Sequence, residues 1–489
     1  MNKPLRKVGL LMLVMIVLLL ANTSWVQVVN SEYYADNPRN LRVLYDKYAR
    51  KRGQIVGGEN GVSLAGAKET DDKFNYRRTY PYGPVYGPVI GYQSLRYGTT
   101  GIERELNDFL NGSGSKLFTR RLADLFSGSK TEGGNVRLTI RHELQEAAYN
   151  AMTERDYNGA AVALDPETGE ILAMVSTPSY DPVPLASHDP QKQQEAWDKY
   201  RDDDSDPLQN RAVSQIYPPG STFKLVVAAA ALENGADQDT RLPTDSQITL
   251  PDDVTTLENY QGTTCPGDTL HAAIEYSCNT AFAELAGDVG AEKLRATAEQ
   301  FGIGDDELHI PMPVAESELG PLDNATSLYQ SGIGQADVQL TPLQVAMFTA
   351  GIANDGVTMK PHLVKELLAP DLSTVDTTHP SELTGEAALS ADNATSLTEM
   401  MEDAEDKAGG GHKRGDVDIA SKTGTAEHGT DPRQTPPHGW YTAFGPSDDP
   451  EIAVAVLVED GGGQGVDATG AKVAADVGRI MINTALGKE

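Results

Sequence analysis

The chain has 489 residues, which is enough for two or three domains with full hydrophobic cores. Its net charge at pH 7 is −31, so it lacks the basic surface with which nucleic-acid-binding proteins meet phosphate groups. Hydrophobic residues make up 39% of the sequence, a share typical of a globular protein rather than one that crosses a membrane many times.

The N-terminus is predicted to be a membrane anchor. Three basic residues precede an apolar, uncharged segment from Gly9 to about Val29, which is long enough to span a bilayer as a helix. The basic flank predicts residues 1–7 in the cytoplasm, residues 8–29 in the membrane and the rest of the chain outside the cell. A cleaved signal peptide is the alternative, but Ala21–Thr23 is a poor cleavage site.

The region after the anchor shows no convincing catalytic set. Arg52–Val56 predicts a short strand, and the Tyr-, Gly- and Pro-rich segment Tyr76–Tyr97 predicts turns and short strands rather than a helix. Gly101–Leu110 predicts a short helix. His142–Glu146 begins like a zinc-protease motif, but the second histidine is missing, so no metal site is predicted.

From Val136 onward the pattern predicts a second, larger domain. Two strands joined by a hairpin come early, three strands and a helix come late, and helical or loop segments lie between them from about Leu185 to Met401. This pattern indicates an α+β domain with a helical subdomain. The predicted strands are Ala160–Leu164, Glu170–Val175, Val417–Gly424, Gly439–Phe444 and Glu451–Val458, and the flanking helices are Leu144–Met152 and Ala471–Leu486.

The segment Tyr217–Lys224 predicts a nucleophile. Pro-Pro-Gly precedes Ser221, and an uncharged apolar block follows, which predicts a buried helix with Ser221 in its first turn. Lys224 lies three residues later on the same face, where a lysine with a depressed pKa can take the proton of the serine. A second Ser-x-x-Lys match, Ser127–Lys130, lies among glycines and serines with no apolar helix behind it and is interpreted as a loop.

Two further motifs follow the serine. Ser277 and Asn279 stand at the predicted entry of a helix, and Lys422–Thr425 ends a predicted strand, where Gly424 would let a substrate backbone lie close. Each motif alone is common, since Ser-x-Asn is usually a helix cap. In this order, and on these element types, the three motifs match the set of penicillin-binding proteins and serine β-lactamases.

The chain resembles the class B penicillin-binding proteins, and in particular the short actinobacterial ones, over nearly all of its length. One local departure is Val466–Gly470, which lacks an expected proline. The resemblance implies a β-rich pedestal or dimerisation-like domain over residues 30–140. It also implies a transpeptidase domain over residues 141–489, built on an antiparallel five-stranded sheet flanked by helices. Further segments that carry the resemblance are Arg52–Ile55, Thr99–Glu103, Leu138–Ile140 with Gln145, Asp165–Gly169, Gly332–Gln335 and Thr341–Pro342.

The resemblance also implies roles for the motif residues in D,D-transpeptidation of peptidoglycan. Ser221 attacks the carbonyl between the two terminal D-alanines of a stem peptide, Lys224 takes its proton, and Ser277, assisted by Lys422, relays a proton to the leaving amine. The N–H groups of Ser221 and Thr425 form the oxyanion hole, no metal or organic cofactor is needed, and β-lactams acylate Ser221. The substrate-binding residues that it implies are Asn279, Lys422, Thr423, Gly424 and Thr425.

Several alternatives stay open at this point. A serine β-lactamase would need a carboxylate to activate water, and Glu275 and Glu427 are the residues considered for it; a non-catalytic cell-wall scaffold is a second alternative. Cys265 and Cys278 form either a disulfide or two unreactive thiols. His438 and Trp440 either line the site or serve packing. The sequence does not distinguish division from elongation, nor does it name the acyl acceptor, the oligomeric state or the other cell-wall proteins expected as partners.

Overall fold

The computed structural model describes residues 3–30, 48–118, 120, 126, 132–429, 431 and 434–487. The second Ser-x-x-Lys match at residues 127–130 lies outside the described residues. The first helix, α1 (Lys3–Ser24), continues into a π-helical turn at Trp25–Val29. The combined segment Pro4–Val29 has a mean hydropathy of 2.2 and is long and apolar enough to cross a membrane.

The strands are numbered in chain order. They are β1 (Ile55–Gly57), β2 (Val62–Glu69), β3 (Tyr76–Thr79), β4 (Gln93–Ser94), β5 (Gly98–Thr99), β6 (Asn135–Leu138), β7 (Gly159–Leu164), β8 (Ile171–Thr177), β9 (Gln247–Thr249), β10 (Thr256–Glu258), β11 (Val364–Leu368), β12 (Thr374–Thr377), β13 (Ala420–Ala426), β14 (His438–Gly445) and β15 (Ile452–Val458).

The helices after α1 are numbered in the same way. They are α2 (Gly83–Ile90), α3 (Gly101–Glu105), α4 (Asn107–Leu110), α5 (His142–Thr153), α6 (Pro190–Arg201), α7 (Arg211–Ser214), α8 (Lys224–Glu233), α9 (Leu270–Glu275), α10 (Asn279–Val289), α11 (Ala291–Gln300), α12 (Ala325–Ser331), α13 (Pro342–Ala353), α14 (Ala391–Lys407), α15 (Gly470–Val473) and α16 (Ala475–Ala485).

The predicted five-stranded antiparallel sheet is confirmed, with strand order β13-β14-β15-β7-β8. Strands β7, β8, β14 and β15 begin and end within two residues of their predicted positions, whereas β13 begins three residues later than predicted. Side chains alternate between two hydrophobic cores, so that Trp440 and Phe444 face one core and Tyr441 and Ala443 face the other. Helix α13 packs on the first face, and α5 and α16 pack on the second.

A six-stranded sheet, in the order β12-β11-β6-β1-β2-β3, dominates the N-terminal region. Its strands β11 and β12 come from residues 364–377, within the stretch predicted to contain only helices and loops, so that prediction was wrong there. The two strands are only five and four residues long, and such short segments carry too little periodicity to be recognised. Their strand identity comes from the pairing of β11 with β6, which lies far earlier in the chain.

Helix α2 contradicts the prediction that Tyr76–Tyr97 contains no helix. Pro84 lies in the first turn of α2, where its missing N–H has no helical partner to lose. Gly87 brings the helix against the Tyr180 backbone, because a Cβ at this glycine would lie 2.5 Å from the Tyr180 carbonyl oxygen. Tertiary packing of a largely buried helix therefore overrides the low helix propensity of its glycines and prolines.

The C-terminal helix, predicted as one element, is divided into α15 and α16. Gly470 at the start of α15 lies against β14, since a Cβ there would come within 1.9 Å of the Trp440 carbonyl oxygen. Helix α16 instead packs across β14 and β15. The short α15 thereby lies beside β13, at the edge of the sheet where the catalytic motifs meet.

Candidate active site

Ser221 lies in a 3-10 turn, Gly220–Phe223, that leads directly into α8, rather than in the first turn of the α-helix itself. The turn is fixed by hydrogen bonds from Gly220 N to Gly334 O (3.0 Å) and from Trp440 Nε1 to Pro218 O (3.0 Å). Helix α8 is buried over all but its last residue. Ser221 therefore stands on a rigid support that is held by hydrogen bonds from two directions.

Gly334 of the Gly332–Gln335 motif is required by this packing. It has φ of +67°, and a Cβ there would lie 2.1 Å from the Gly220 carbonyl oxygen. We expect Gly334→Ala to displace the Ser221 turn and to lower the second-order rate constant of penicillin acylation by at least about tenfold. Gly415→Ala, at a glycine with ordinary φ and no atom within 4 Å of the added Cβ, is the matched control. An unchanged acylation rate in Gly334→Ala would show that the turn tolerates the clash.

Lys224 is fully buried and binds the second motif. Its Nζ donates to Ser277 O (2.8 Å) and to Asn279 Oδ1 (2.7 Å), and it lies 3.3 Å from Ser277 Oγ. Within the described part of the chain, no carboxylate forms an ion pair with this amine. The fold therefore joins the Ser221 helix to the Ser277 loop through a lysine whose partners are all neutral.

The environment of Lys224 favours its uncharged form. Burial is the largest cause that holds its pKa well below the usual range, and the nearby Lys422 lowers the pKa further. Lys422 is also buried, and burial lowers its pKa to about 7. An uncharged Lys224 amine is able to accept a proton from a serine at neutral pH.

The Ser277–Asn279 loop is held in an unusual conformation. Ser277 has φ of +57°, a left-handed geometry that serine rarely adopts. Cys278 forms a disulfide with Cys265, with a Cα–Cα distance of 5.7 Å. The Asn279 amide is used at both ends, because Oδ1 accepts from Lys224 and Nδ2 donates to Glu258 O (3.0 Å). The structure thus gives Asn279 a role in orienting Lys224, which the sequence alone did not reveal.

Strand β13 carries Lys422–Thr425 along the free edge of the five-stranded sheet. Ser421, next to Lys422, donates to the buried Glu405 carboxylate (2.5 Å), which fixes the strand from behind. Gly424 packs against the Ser221 turn, and its expected role in the close approach of a substrate stays a prediction. A Cβ at Gly424 would lie 3.0 Å from atoms of Pro219, Thr222 and Trp440.

A cavity of about 1100 Å³ brings the three motifs together. Lys224 and Lys422 do not line this cavity but lie buried behind its wall. The fold thus places the serine hydroxyls where a substrate can reach them and withdraws both amines from solvent. The motif residues that line the cavity are Ser221, Ser277, Asn279, Thr423 and Thr425.

The rest of the cavity wall includes residues that the sequence did not single out. The β9–β10 hairpin supplies Glu258 and Asn259, and the start of α15 supplies Thr469. None of the described residues that line the cavity carries a positive charge. No motif marks these residues, because they reach the site only through the folding of distant loops.

The remaining residues considered from the sequence lie around this site. Trp440 is fully buried, and His438 is nearly so. Neither is among the described residues that line the cavity, so packing is the role that the structure supports for both. Glu275 forms an ion pair with Lys407 (3.3 Å) outside the cavity wall, whereas Glu427 lines the cavity.

His428, His438 and Asp460 bring their ligand atoms within 4.8 Å of one another, as metal ligands would. The two imidazole rings, however, are stacked with centroids 3.8 Å apart and planes only 2° from parallel. A ring nitrogen binds a metal in the plane of its ring, so two stacked rings do not direct their nitrogens at one point. This arrangement fixes the loop after β13 rather than providing a metal centre.

The comparisons with known proteins agree with this geometry. Residues 159–482 match the family described as the penicillin binding protein transpeptidase domain, and residues 52–136 match the penicillin binding protein A dimerisation domain. A protein of Mycolicibacterium smegmatis named peptidoglycan D,D-transpeptidase PbpA is 51% identical over 99% of both chains. Its namesake in Mycobacterium tuberculosis is 47% identical over the full length of both.

Solved structures show the same likeness. The ceftriaxone acyl-enzyme complex of penicillin-binding protein A from M. tuberculosis has a TM-score of 0.87 and 48% identity, covering 90% of this chain and 100% of that one. The penicillin G acyl-enzyme complex of the same protein has a TM-score of 0.85 at 48% identity, covering 89% and 100%. The chain belongs to the penicillin-binding protein family, with a transpeptidase domain and an N-terminal dimerisation domain of that family.

Proposed function

We propose that this protein is a membrane-anchored D,D-transpeptidase, which cross-links peptidoglycan stem peptides through an acyl-Ser221 intermediate and is inhibited by β-lactams. The observation that carries the proposal is the buried Lys224 amine, held by Ser277 and Asn279 behind a cavity that Ser221 lines. The acyl-enzyme complexes of the M. tuberculosis relative support the β-lactam part.

In the first half-reaction, Ser221 Oγ attacks the carbonyl carbon between the two terminal D-alanines, and its proton passes to the neutral Lys224 amine. The C–N bond then breaks, and Ser277, whose Oγ lies 3.3 Å from Lys224 Nζ, relays the proton to the leaving D-alanine. The products are an ester on Ser221 and free D-alanine. The N–H groups of Ser221 and Thr425 stabilise the oxyanion that forms in between.

The donor peptide lies along β13 in this proposal. As an edge strand, β13 presents unpaired backbone groups with which an extended peptide can pair. Thr423 and Thr425 line the cavity and donate to the terminal carboxylate, and Lys422, buried behind the wall, acts on that carboxylate through its positive charge. Gly424 and Asn279 contribute by placing the Ser221 turn and the Lys224 amine.

The domain division follows the same proposal. Residues 1–7 form a cytoplasmic tail, residues 8–29 the anchor, residues 30–140 the pedestal and residues 141–489 the extracellular transpeptidase domain. Strands β11 and β12 of the transpeptidase segment complete the pedestal sheet, so the pedestal is joined to the catalytic domain by shared strands as well as by the chain. The pedestal and anchor are the surfaces proposed for other cell-wall synthesis proteins.

The charge on Lys422 predicts how acylation depends on pH. The second-order acylation constant reports groups of the free enzyme, and the pKa of Lys422 is about 7. Because the charged amine binds the carboxylate of a penicillin, we expect this constant to fall as the pH rises above about 7. Lys422→Gln should lose this alkaline limb, although its absolute rate is also lower. If the rate constant of Lys422→Gln still fell above about pH 7, the fall would have to be caused by another titrating group.

The proposal is tested with the full-length chain in detergent and a peptide that ends in D-Ala-D-Ala. We expect release of one D-alanine, with transfer of the remaining acyl group to an added amine. No release of D-alanine by a chain that unfolds cooperatively would contradict the proposal and favour a scaffold. Rapid, repeated hydrolysis of penicillin would favour a β-lactamase instead.

A further inference from the structure

We propose that Glu427 binds the amine of the acyl acceptor and that the enzyme therefore selects an acceptor with a cationic amino group. This inference rests on the proposed transpeptidase function, since it concerns the second half-reaction. It starts from the charge of the cavity: Glu258, Glu427 and Asp431 line it, and no lysine, arginine or histidine does so among the described residues. A cavity lined by negative charges attracts cations to the acyl-enzyme.

Glu427 lies in the same cavity wall as the donor-binding threonines. Strand β13 ends at Ala426, so Glu427 is the first residue beyond it, two positions after Thr425. Thr423, Thr425 and Glu427 all line the cavity, and so does Ser221. The Glu427 carboxylate therefore faces the space that an amine must enter to attack the ester on Ser221.

The backbone that carries Glu427 is fixed on both sides. Ala426 is fully buried and pairs with His438 across the sheet. His428 stacks on His438, and its Nε2 lies 2.9 Å from the Pro436 carbonyl oxygen. A binding group on such a support keeps its position during the reaction.

Glu427 also differs from the other two acidic residues of the cavity. Asp431 Oδ2 accepts a hydrogen bond from Gln434, and Glu258 stands on a different strand, at the end of β10. The Glu427 carboxylate makes no hydrogen bond or ion pair with any other residue that the structure describes. It is therefore available to a ligand.

The chemistry of the second half-reaction needs such a group. The acceptor arrives as an ammonium ion, loses one proton to solvent and attacks the ester carbon with its lone pair. Its nitrogen becomes positively charged as the C–N bond forms, and a nearby carboxylate stabilises that charge. The C–O bond to Ser221 then breaks, and the second proton passes through Lys224 to Ser221 Oγ. The products are an amide, free Ser221 and one proton in solution.

The test measures how much of the acyl-enzyme reacts with an amine and how much reacts with water. The full-length chain is acylated with a thioester analogue of the donor, in the presence of a D-amino acid amide as the cationic acceptor, and aminolysis and hydrolysis products are quantified. We expect Glu427→Gln to lower the ratio of aminolysis to hydrolysis about tenfold, with the acylation rate unchanged within about twofold. Glu427→Asp should recover part of the ratio. Glu451→Gln, at an exposed glutamate outside the cavity, should match the wild type.

Three outcomes would overturn the inference. An unchanged ratio in Glu427→Gln would show that the acceptor does not use this carboxylate, while the proposed function would stand. An equal loss of aminolysis and hydrolysis would show that Glu427 promotes attack by water as well as by amines, as in a hydrolase. An equal loss of transfer to methanol, which carries no positive charge when Lys224 takes its proton during the attack, would show that the charge of the acceptor is not what Glu427 recognises. Failure of the wild type to form any acyl-enzyme would instead contradict the proposed function.

Discussion

Ser221→Ala is expected to abolish covalent labelling by a fluorescent penicillin, with the second-order rate constant lower by at least about 10⁴-fold. No bond to the drug can form without the Oγ atom, and Ser277, the other serine that lines the cavity, has its hydroxyl bound to Lys224. The change removes one oxygen atom from a partly exposed side chain, so the thermal unfolding temperature should stay within about 2 °C of the wild type. Labelling is measured on gels over time.

Ser396→Ala provides the control for this experiment. Ser396 lies on α14, where its hydroxyl donates to Asp392 O, and it is not among the residues that line the cavity. It should label at the rate of the wild type. Equal labelling of Ser221→Ala and Ser396→Ala would show that another residue is the nucleophile and would contradict the assignment.

Lys224→Arg is expected to lower the acylation rate by about 10³-fold, although it keeps a basic side chain at this position. Arginine stays protonated in proteins, so it cannot accept the proton of Ser221. The loss corresponds to the usual contribution of a general base, about 10²–10⁴-fold. The rate is measured by stopped-flow with a chromogenic β-lactam, beside thermal unfolding of the same sample.

Lys422→Arg is the matched comparison, because the proposed role of Lys422 needs charge rather than proton transfer. We expect it to retain more activity than Lys224→Arg, by at least about tenfold. Both lysines are buried, so we expect the larger arginine side chain to destabilise the two sites to a similar degree. The reverse order, with Lys224→Arg the more active, would exchange the roles of the two lysines.

Much of the catalytic sheet could be predicted from the sequence, because its strands are continuous apolar runs between clear turns. Strands β7, β8, β14 and β15 are of this kind. The start of β13 was predicted three residues too early, because the buried apolar residues Val417 and Ile419 precede the paired strand, which begins at Ala420. The six-stranded sheet was predicted incompletely, since β11 and β12 acquire their structure only through pairing with β6.

The site was predictable as a set of motifs but not as a geometry. Ser221, Lys224, Ser277 and Lys422 could be named from their order alone. Asn279 accepts a hydrogen bond from Lys224 with its amide oxygen and donates one to the backbone of β10 with its amide nitrogen. These contacts depend on the conformation of the loop, which no local sequence pattern predicts. The packing of Gly424 against the Ser221 turn was not predicted either, because that turn lies far away in the sequence.

The most direct test of the central claim is the intact mass of the full-length chain after reaction with penicillin G, followed by mapping of the modified peptide. We predict one adduct per chain, located on the peptide that contains Ser221, which persists long after free drug is removed. An adduct on another residue, or consumption of the drug with the protein left unmodified, would contradict the claim that Ser221 forms a stable acyl-enzyme.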